Sequence, residues 1–263
     1  ESSYFAAGML ESRQRRLGDS PTPDGTEATE ETMADLRNYQ SRVADAQGRS
    51  EAYIDQGLRA YMLRVYNLMA LGLAITGLAA WGAFEFAVSN GQLTPFGQLI
   101  FESAFRWVVI LAPLALVFFL SFRINSMSVS AAQTTFWVYA ALVGLSLSVL
   151  FLVYTQTSIV RTFFITAAAF GALSLYGYTT RRDLSAMGSF LIMGVFGIII
   201  ASLVNLFLAS SALQFAISVI GVLVFTGLTA YDTQQIKEMY WEGDTAVVAG
   251  KKAIMGALRL YLD

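Results

Sequence analysis

Two aspartates near the end of the chain have the residue type and the spacing to carry chemistry. Asp232 follows a tyrosine after a long apolar run, in "VLVFTGLTAYDTQQIKEMY", and Asp263 follows "ALRLYL". The polar turn "WEGDTAVVAG" lies between them, and the midpoint of their residue numbers falls inside this turn. In an antiparallel pair of helices, residues equidistant from the turn lie at similar depth. The two carboxylates are therefore expected to face each other.

Such a pair is suited to proton sharing and to binding a hard cation. Two carboxylates close together in apolar surroundings cannot both ionise easily, so the pair is expected to keep one proton. At lower pH the shared proton holds two helices together. At higher pH both groups ionise, repel each other and offer oxygen ligands of the kind that Ca²⁺ prefers. A lysine at either position would repel the cation and could not share a proton with an acid.

Plainer interpretations of these residues stay open. Asp232 is also consistent with a helix end at the lipid headgroups, and Asp263 with an ion pair to Arg259 one helical turn away. We favour a functional role because acids inside a membrane are costly and usually face the interior of a helix bundle. For Arg123 alone we favour the plainer interpretation, since an arginine at the end of a span is usually a topology anchor.

The absence of two residue types limits the reactions and the metal sites that this chain could support. The chain of 263 residues has no cysteine and no histidine. It therefore has no disulfide, no thiol nucleophile and no thiolate metal site, and it lacks the usual proton shuttle. Any bound metal must suit oxygen ligands, and no other cofactor and no nucleic-acid partner is expected.

The composition indicates an all-α polytopic membrane protein. Only 14% of the residues are charged and 56% are hydrophobic, whereas about 25% of a soluble domain is charged. Residues 1–50 are polar and are predicted to form a mostly disordered cytoplasmic region, and residues 51–263 a membrane domain. No signal peptide is visible, and Met33 is a plausible natural start. A surface helix is predicted from Gln40 to Arg64.

Six apolar runs are long enough to cross a bilayer, which takes roughly 20 residues. The predicted spans cover residues 65–86, 106–124, 130–154, 158–179, 185–209 and 212–236. A seventh helix opens at "KKAIMGALRLYLD", which is too short to cross, so we expect it to be cut short here. Asp263 lies about 11 residues beyond Lys252, or roughly 16 Å along a helix, which is near the middle of a membrane.

The basic residues predict a cytoplasmic N-terminus. Arginines are frequent before the first span, and the alternate loops that follow are also basic, whereas the opposite side has only Arg106 and Arg161. The basic residues of those alternate loops are Arg123, Arg181, Arg182, Lys237, Lys251 and Lys252.

Several segments together resemble the transmembrane Bax-inhibitor-motif family, meaning Bax inhibitor type one and its bacterial relatives. The matching segments, which cover the chain from about Tyr61 to its end, are "FTGLTAYDTQQIKEMY", "ALRLYLD", "APLALVFFLSFRINSMS", "YAALVGLSLSVLF", "TFFITAAAFGALSLYGYTTRRDLSAMG" and "ASLVNLFLAS". The short loops and the long polar N-terminal region look like those of a bacterial member, which implies a bacterial inner membrane.

The resemblance implies a seven-helix bundle with the last helix at its centre and a pH-sensitive calcium leak. Asp232 matches the first and Asp263 the second of two aspartates that share a proton in this family. Both would sense pH and bind the ion. Arg123 is the nearest match to a span-two arginine that can pair with the first aspartate, and would act as a gating partner.

Functions of three kinds follow from these observations. The first is a proton-regulated Ca²⁺ leak channel, which is not an enzyme and whose partners are the lipid bilayer, Ca²⁺ and protons. The second is a membrane adaptor that binds a membrane protease or another protein, since the resemblance implies such a link for bacterial relatives. The third is an intramembrane aspartyl protease. It is disfavoured because Asp263 follows "LYL" and not the glycine-x-glycine of that class.

Overall fold

The structure, a computed structural model, describes residues 25–263, with side chains described from residue 55 onward. The chain divides into two units, Glu1–Asp55 and Gln56–Asp263. Residues 1–24 lie outside the described part. The predicted disorder of residues 1–50 and the alternative start at Met33 therefore stay predictions.

Nearly all of the described backbone is helical, which confirms an all-α polytopic membrane protein. Helix α1 covers Gly25–Ala87 and therefore begins well before the surface helix predicted from Gln40. The hairpin strands β1 (Val88–Ser89) and β2 (Gln92–Leu93) follow, and then the short helix α2 (Pro95–Gly97) and a π-helical turn at Gln98–Glu102. The remaining helices are α3 (Arg106–Arg123), α4 (Val129–Leu147), α5 (Leu150–Val153), α6 (Gln156–Thr179), α7 (Ser185–Leu208), α8 (Ser211–Glu238) and α9 (Ala246–Leu262).

Six stretches of the described chain are long and apolar enough to cross a membrane. They are Asp55–Ala87, Arg106–Ser126, Val129–Val153, Gln156–Thr179, Ser185–Leu208 and Ser211–Glu238. The six predicted spans are confirmed, with ends that differ by a few residues except at the start of the first. That start is earlier because the helix continues into polar sequence, where hydropathy gives no signal.

Local sequence explains where the elements begin and turn. In the hairpin, Asn90 and Gly91 adopt left-handed backbone conformations with φ of 53° and 75°, as a tight two-residue turn requires. Hydroxyl side chains start three of the spanning helices by accepting a backbone hydrogen bond from three residues ahead: Ser128, Thr155 and Ser210.

Before α7, Asp183 accepts a hydrogen bond from the Ser185 backbone amide at 2.8 Å. This bond and the Ser185 side chain hold the pKa of Asp183 below its usual value.

Helix α9 lies at the centre of the packed core, as predicted. Its buried residues include Ala253, Ile254, Ala257 and Leu258, and its Gly256 faces Val65 of α1 and Ile236 of α8 at close range. In contrast, α6 and α7 bury few residues and present large apolar side chains outward. That pattern is the one expected for helices whose outer face contacts lipid tails.

Candidate functional site: a carboxyl pair between the last two helices

The polar turn after α8 places the two predicted acids at the same level. Lys252, in the second turn of α9, donates a hydrogen bond to the Met239 carbonyl oxygen at 2.9 Å and pairs with the Asp244 carboxylate at 2.5 Å. These contacts hold the start of α9 against the end of α8. Because the two helices run antiparallel away from this contact, Asp232 and Asp263 lie at the same level and meet.

The carboxyl groups of Asp232 and Asp263 lie within hydrogen-bonding reach of each other. The Oδ2 atom of Asp263 is buried and has no hydrogen-bond partner within the described residues. Ionised carboxylates only accept hydrogen bonds, so a hydrogen bond between the two groups requires a proton on one of them. The structure therefore brings together the two acids that the sequence singled out. It also shows that Asp232 does not end a helix, since α8 continues to Glu238.

Arg259 is the cation of this site. Its Nη1 atom lies 3.8 Å from Asp232 Oδ1, with 48% of the Arg259 side chain and 16% of the Asp232 side chain exposed. The simple interpretation of the sequence paired Arg259 with Asp263 on the same helix. In the structure the ion pair instead reaches across to the neighbouring helix. The sequence left a pairing with Asp263 open only as a plainer alternative, and it gave no sign of the contact with Asp232.

Arg123 is not brought to the carboxyl pair, which differs from its predicted place beside Asp232. It is exposed at the end of α3, next to Asn125, whose carbonyl oxygen accepts a hydrogen bond from Lys251 at 2.7 Å. Asp263 lies 12 residues beyond Lys251, about 18 Å along the helix. An arginine side chain cannot span that separation, and the cation beside Asp232 in this structure is Arg259. The approach of Arg123 to Asp232 in another conformation stays a prediction.

Tyr261 and Thr76 fix the end of α9, and sequence reasoning missed both. The Tyr261 hydroxyl and Thr76 Oγ1 are hydrogen-bonded at 2.5 Å, and Thr76 Oγ1 donates to the Ala140 carbonyl oxygen at 2.9 Å. The Tyr261 ring packs edge-on against Phe136 and Tyr139, with centroids 5.8 and 5.4 Å away. The available signal was a lone threonine in the apolar segment "LGLAITGLAAW". A hydroxyl in such a place needs a partner.

The residues that follow Asp232 fasten α8 to α6 and to the loop after α6. Thr233 Oγ1 is 3.0 Å from Ser174 Oγ. Gln234 donates to the Arg182 carbonyl oxygen at 2.8 Å and accepts from the Leu184 amide at 2.9 Å. These hydrogen bonds hold α8, which carries Asp232, against α6 and the loop after α6.

The pair fits a passing cation better than a resident metal. Within the described residues no group of three or more histidine, cysteine, aspartate or glutamate side chains is placed to hold a metal ion. Two carboxylates supply at most four oxygens, whereas Ca²⁺ takes six to eight, so water would have to complete its shell. Arg259 would also have to leave Asp232, and its half-exposed side chain has room to do so.

Fold and site define a class: an α-helical polytopic membrane protein with two neighbouring acids, one on its last spanning helix α8 and one at the end of α9. The sequence profile of the family described as "Inhibitor of apoptosis-promoting Bax1" matches residues 58–263. The chain therefore belongs to the Bax inhibitor family.

Bacterial relatives are similar over most of their length. An uncharacterised protein of Rickettsia prowazekii is 54% identical over 211 residues, which cover 80% of this chain and 86% of the relative. The inner membrane protein YbhL of Escherichia coli is 47% identical over 210 residues, covering 79% and 87%. An uncharacterised membrane protein of Streptococcus pyogenes is 35% identical over 214 residues, covering 80% and 89%.

Proposed function

We propose that this protein is a proton-regulated cation leak, with Ca²⁺ as the ion, in which Asp232 and Asp263 form the switch. The single observation that carries the proposal is the close approach of two carboxyl groups inside an apolar helical bundle. A structural ion pair would need only one of these acids. The second acid adds a proton-dependent charge that packing does not require.

The charges at the site indicate how a proton would control the leak. With one shared proton the carboxyl pair carries one negative charge, and Arg259 beside Asp232 balances it. When this shared proton also leaves, one negative charge stays uncompensated between α8 and α9. In an apolar setting this charge repels its neighbour and attracts a cation, because both effects are stronger there than in water. Ionisation therefore weakens the contact between α8 and α9 and makes the site attractive to Ca²⁺ in the same step.

In this proposal the protein conducts ions, catalyses no reaction and needs no cofactor. We place it in a bacterial inner membrane with a cytoplasmic N-terminus. The similarity to the inner membrane protein YbhL of Escherichia coli supports the first part, and the basic loops of the sequence support the second.

Exchange of the two aspartates for asparagine tests the switch. The purified protein is reconstituted into liposomes, and Ca²⁺ flux is measured with an internal indicator dye between pH 5 and 8. Flux should rise with pH, by up to about tenfold per pH unit if one proton controls it. Asp232→Asn and Asp263→Asn should each remove most of this pH dependence. The double variant should resemble either single variant, because the two residues act as one unit.

Asp183→Asn is the matched control, because this acid lies in an exposed loop outside the pair. It should leave the pH profile of flux unchanged. If the double variant still leaks Ca²⁺ with an unshifted profile, the carboxyl switch is wrong. An adaptor would bind its partner protein equally well in the Asn variants, and an aspartyl protease would lose all cleavage of a membrane substrate.

A further inference from the structure

A second site lies in a groove between α1 and α6, on the outer surface of the bundle. The groove encloses about 390 Å³. Its walls are mainly apolar and include Met62 and Leu63 of α1 and Phe170 and Leu175 of α6. Leu63 and Leu175 are 52% and 63% exposed, so the groove opens sideways toward the lipid. Its shape and chemistry suit a hydrocarbon chain.

One end of the groove is basic. Arg59 and Tyr178 line this end. Lys237 borders it, because its Nζ donates to the Tyr178 carbonyl oxygen at 2.9 Å and lies 5.5 Å from the centroid of the Tyr178 ring. Both helices reach their polar ends here, since α6 stops at Thr179 and α1 continues into charged sequence. A negatively charged headgroup at this level would meet two cations, while its chain lies along apolar walls.

The floor of the groove is polar and closed. Ser174 Oγ lies 2.5 Å from the Tyr66 hydroxyl and 3.0 Å from Thr233 Oγ1. Their hydrogen-bonding groups are thus engaged with one another across α1, α6 and α8. They leave the walls free to contact an apolar chain. The same hydrogen bonds connect the groove to Thr233, the residue after Asp232.

We propose that this groove binds one anionic phospholipid, with an acyl chain between α1 and α6 and its phosphate on the Arg59 guanidinium. Arginine binds phosphate through paired, charge-assisted hydrogen bonds. Basic pockets between membrane helices are known binding places for anionic headgroups. The proposal does not depend on ion conduction.

Two substitutions test the contact with the lipid headgroup and the contact with its acyl chain separately. Arg59→Gln removes the phosphate contact. Gly171→Leu adds a side chain at a position that lines the groove, where a Cβ atom would meet no other atom within 4 Å. Arg161→Gln, at the other end of α6, and Gly197→Leu, at an equally open position on α7, are the matched controls.

Native mass spectrometry of the purified, delipidated protein gives the affinity for phosphatidylglycerol. The unmodified protein should bind one added phosphatidylglycerol tightly, and both groove variants should weaken this binding by about tenfold or more. The two control variants should bind like the unmodified protein. Melting temperatures measured in parallel should show that the groove variants are folded.

Four results would overturn the proposal. Unchanged lipid binding in Gly171→Leu would exclude the groove, and unchanged binding in Arg59→Gln would exclude the headgroup contact. Equal affinity for phosphatidylcholine would remove the role of net charge. If inorganic phosphate displaces the lipid and raises the melting temperature of the protein as much as the lipid does, the site binds an anion and not a lipid.

Discussion

At the scale of single residues, the ion pair between Arg259 and Asp232 sets the charge of the carboxyl site. The pair spans α8 and α9, so it also holds together the two helices that the acids would push apart. Half of the Arg259 side chain is exposed. Solvent and salt therefore reduce the stabilisation that this ion pair gives to the contact between α8 and α9, compared with a fully buried pair.

Arg259→Gln should move the pH dependence of Ca²⁺ flux upward. Without the cation, the second ionisation of the pair leaves more negative charge uncompensated, so it requires a higher pH. We expect the midpoint of the flux profile in liposomes to rise by about one pH unit, which corresponds to about 1.4 kcal/mol. Arg259→Lys keeps the charge and should shift the midpoint less. A downward shift in Arg259→Gln would contradict this role.

The sequence predicted the meeting of Asp232 and Asp263 because symmetry about a turn determines depth in a helical hairpin. It did not predict the partner of Arg259. A spacing of four residues within one helix is compatible with a pair to Asp263, but the direction of the side chain depends on which helix packs alongside. The role of Tyr261 was missed for the same reason, since its partner Thr76 is distant in sequence and belongs to α1.

At the scale of elements, the position of α8 depends on close approach to its neighbours. At Gly177 of α6, a Cβ atom would overlap the backbone carbonyl oxygen of Ala230, two residues before Asp232. At Gly188 of α7, a Cβ atom would overlap the ring of Tyr231. Small residues thus let both helices pack directly against the segment that carries the acid.

Gly177→Ala should destabilise the protein. The added methyl group meets backbone, which cannot rotate away, so α6 and α8 must separate. We expect a loss of about 1–3 kcal/mol, measured as a lower melting temperature in detergent. Gly197→Ala, where a Cβ atom meets nothing, should be neutral or slightly stabilising, because alanine favours helix over glycine. Equal melting temperatures for the two variants would contradict the close contact.

Hydropathy predicted the spans because a helix that crosses a membrane must be apolar over most of its length. It could not predict that α1 begins at Gly25, since polar helices carry no such signal. The sequence could not show which glycines lie in a helix contact, and Gly177 and Gly171 differ only in what the neighbouring helix places opposite them.

At the scale of the whole molecule, the distribution of charge assigns each end of the bundle to one side of the membrane. Basic residues lie at the end of α3, in the loop after α6, at the end of α8 and near the start of α9, whereas the hairpin after α1 and the link between α7 and α8 have no lysine or arginine. The proposed orientation puts the basic end in the cytoplasm. It also puts Arg59 and the proposed lipid headgroup in the cytoplasmic leaflet, where anionic lipids add to the attraction.

Single cysteines test this orientation without background, because the chain has no cysteine of its own. Ser89 in the hairpin and Ser211 at the start of α8 lie at one end of the bundle, and Ser126 after α3 and Glu242 after α8 lie at the other; all four are exposed. A maleimide that cannot cross the membrane is added to intact spheroplasts, and then to permeabilised ones. Ser89→Cys and Ser211→Cys should react in intact spheroplasts, and Ser126→Cys and Glu242→Cys only after permeabilisation. The reversed pattern would place Arg59 in the opposite leaflet, and the carboxyl switch would then respond to protons entering from the other side.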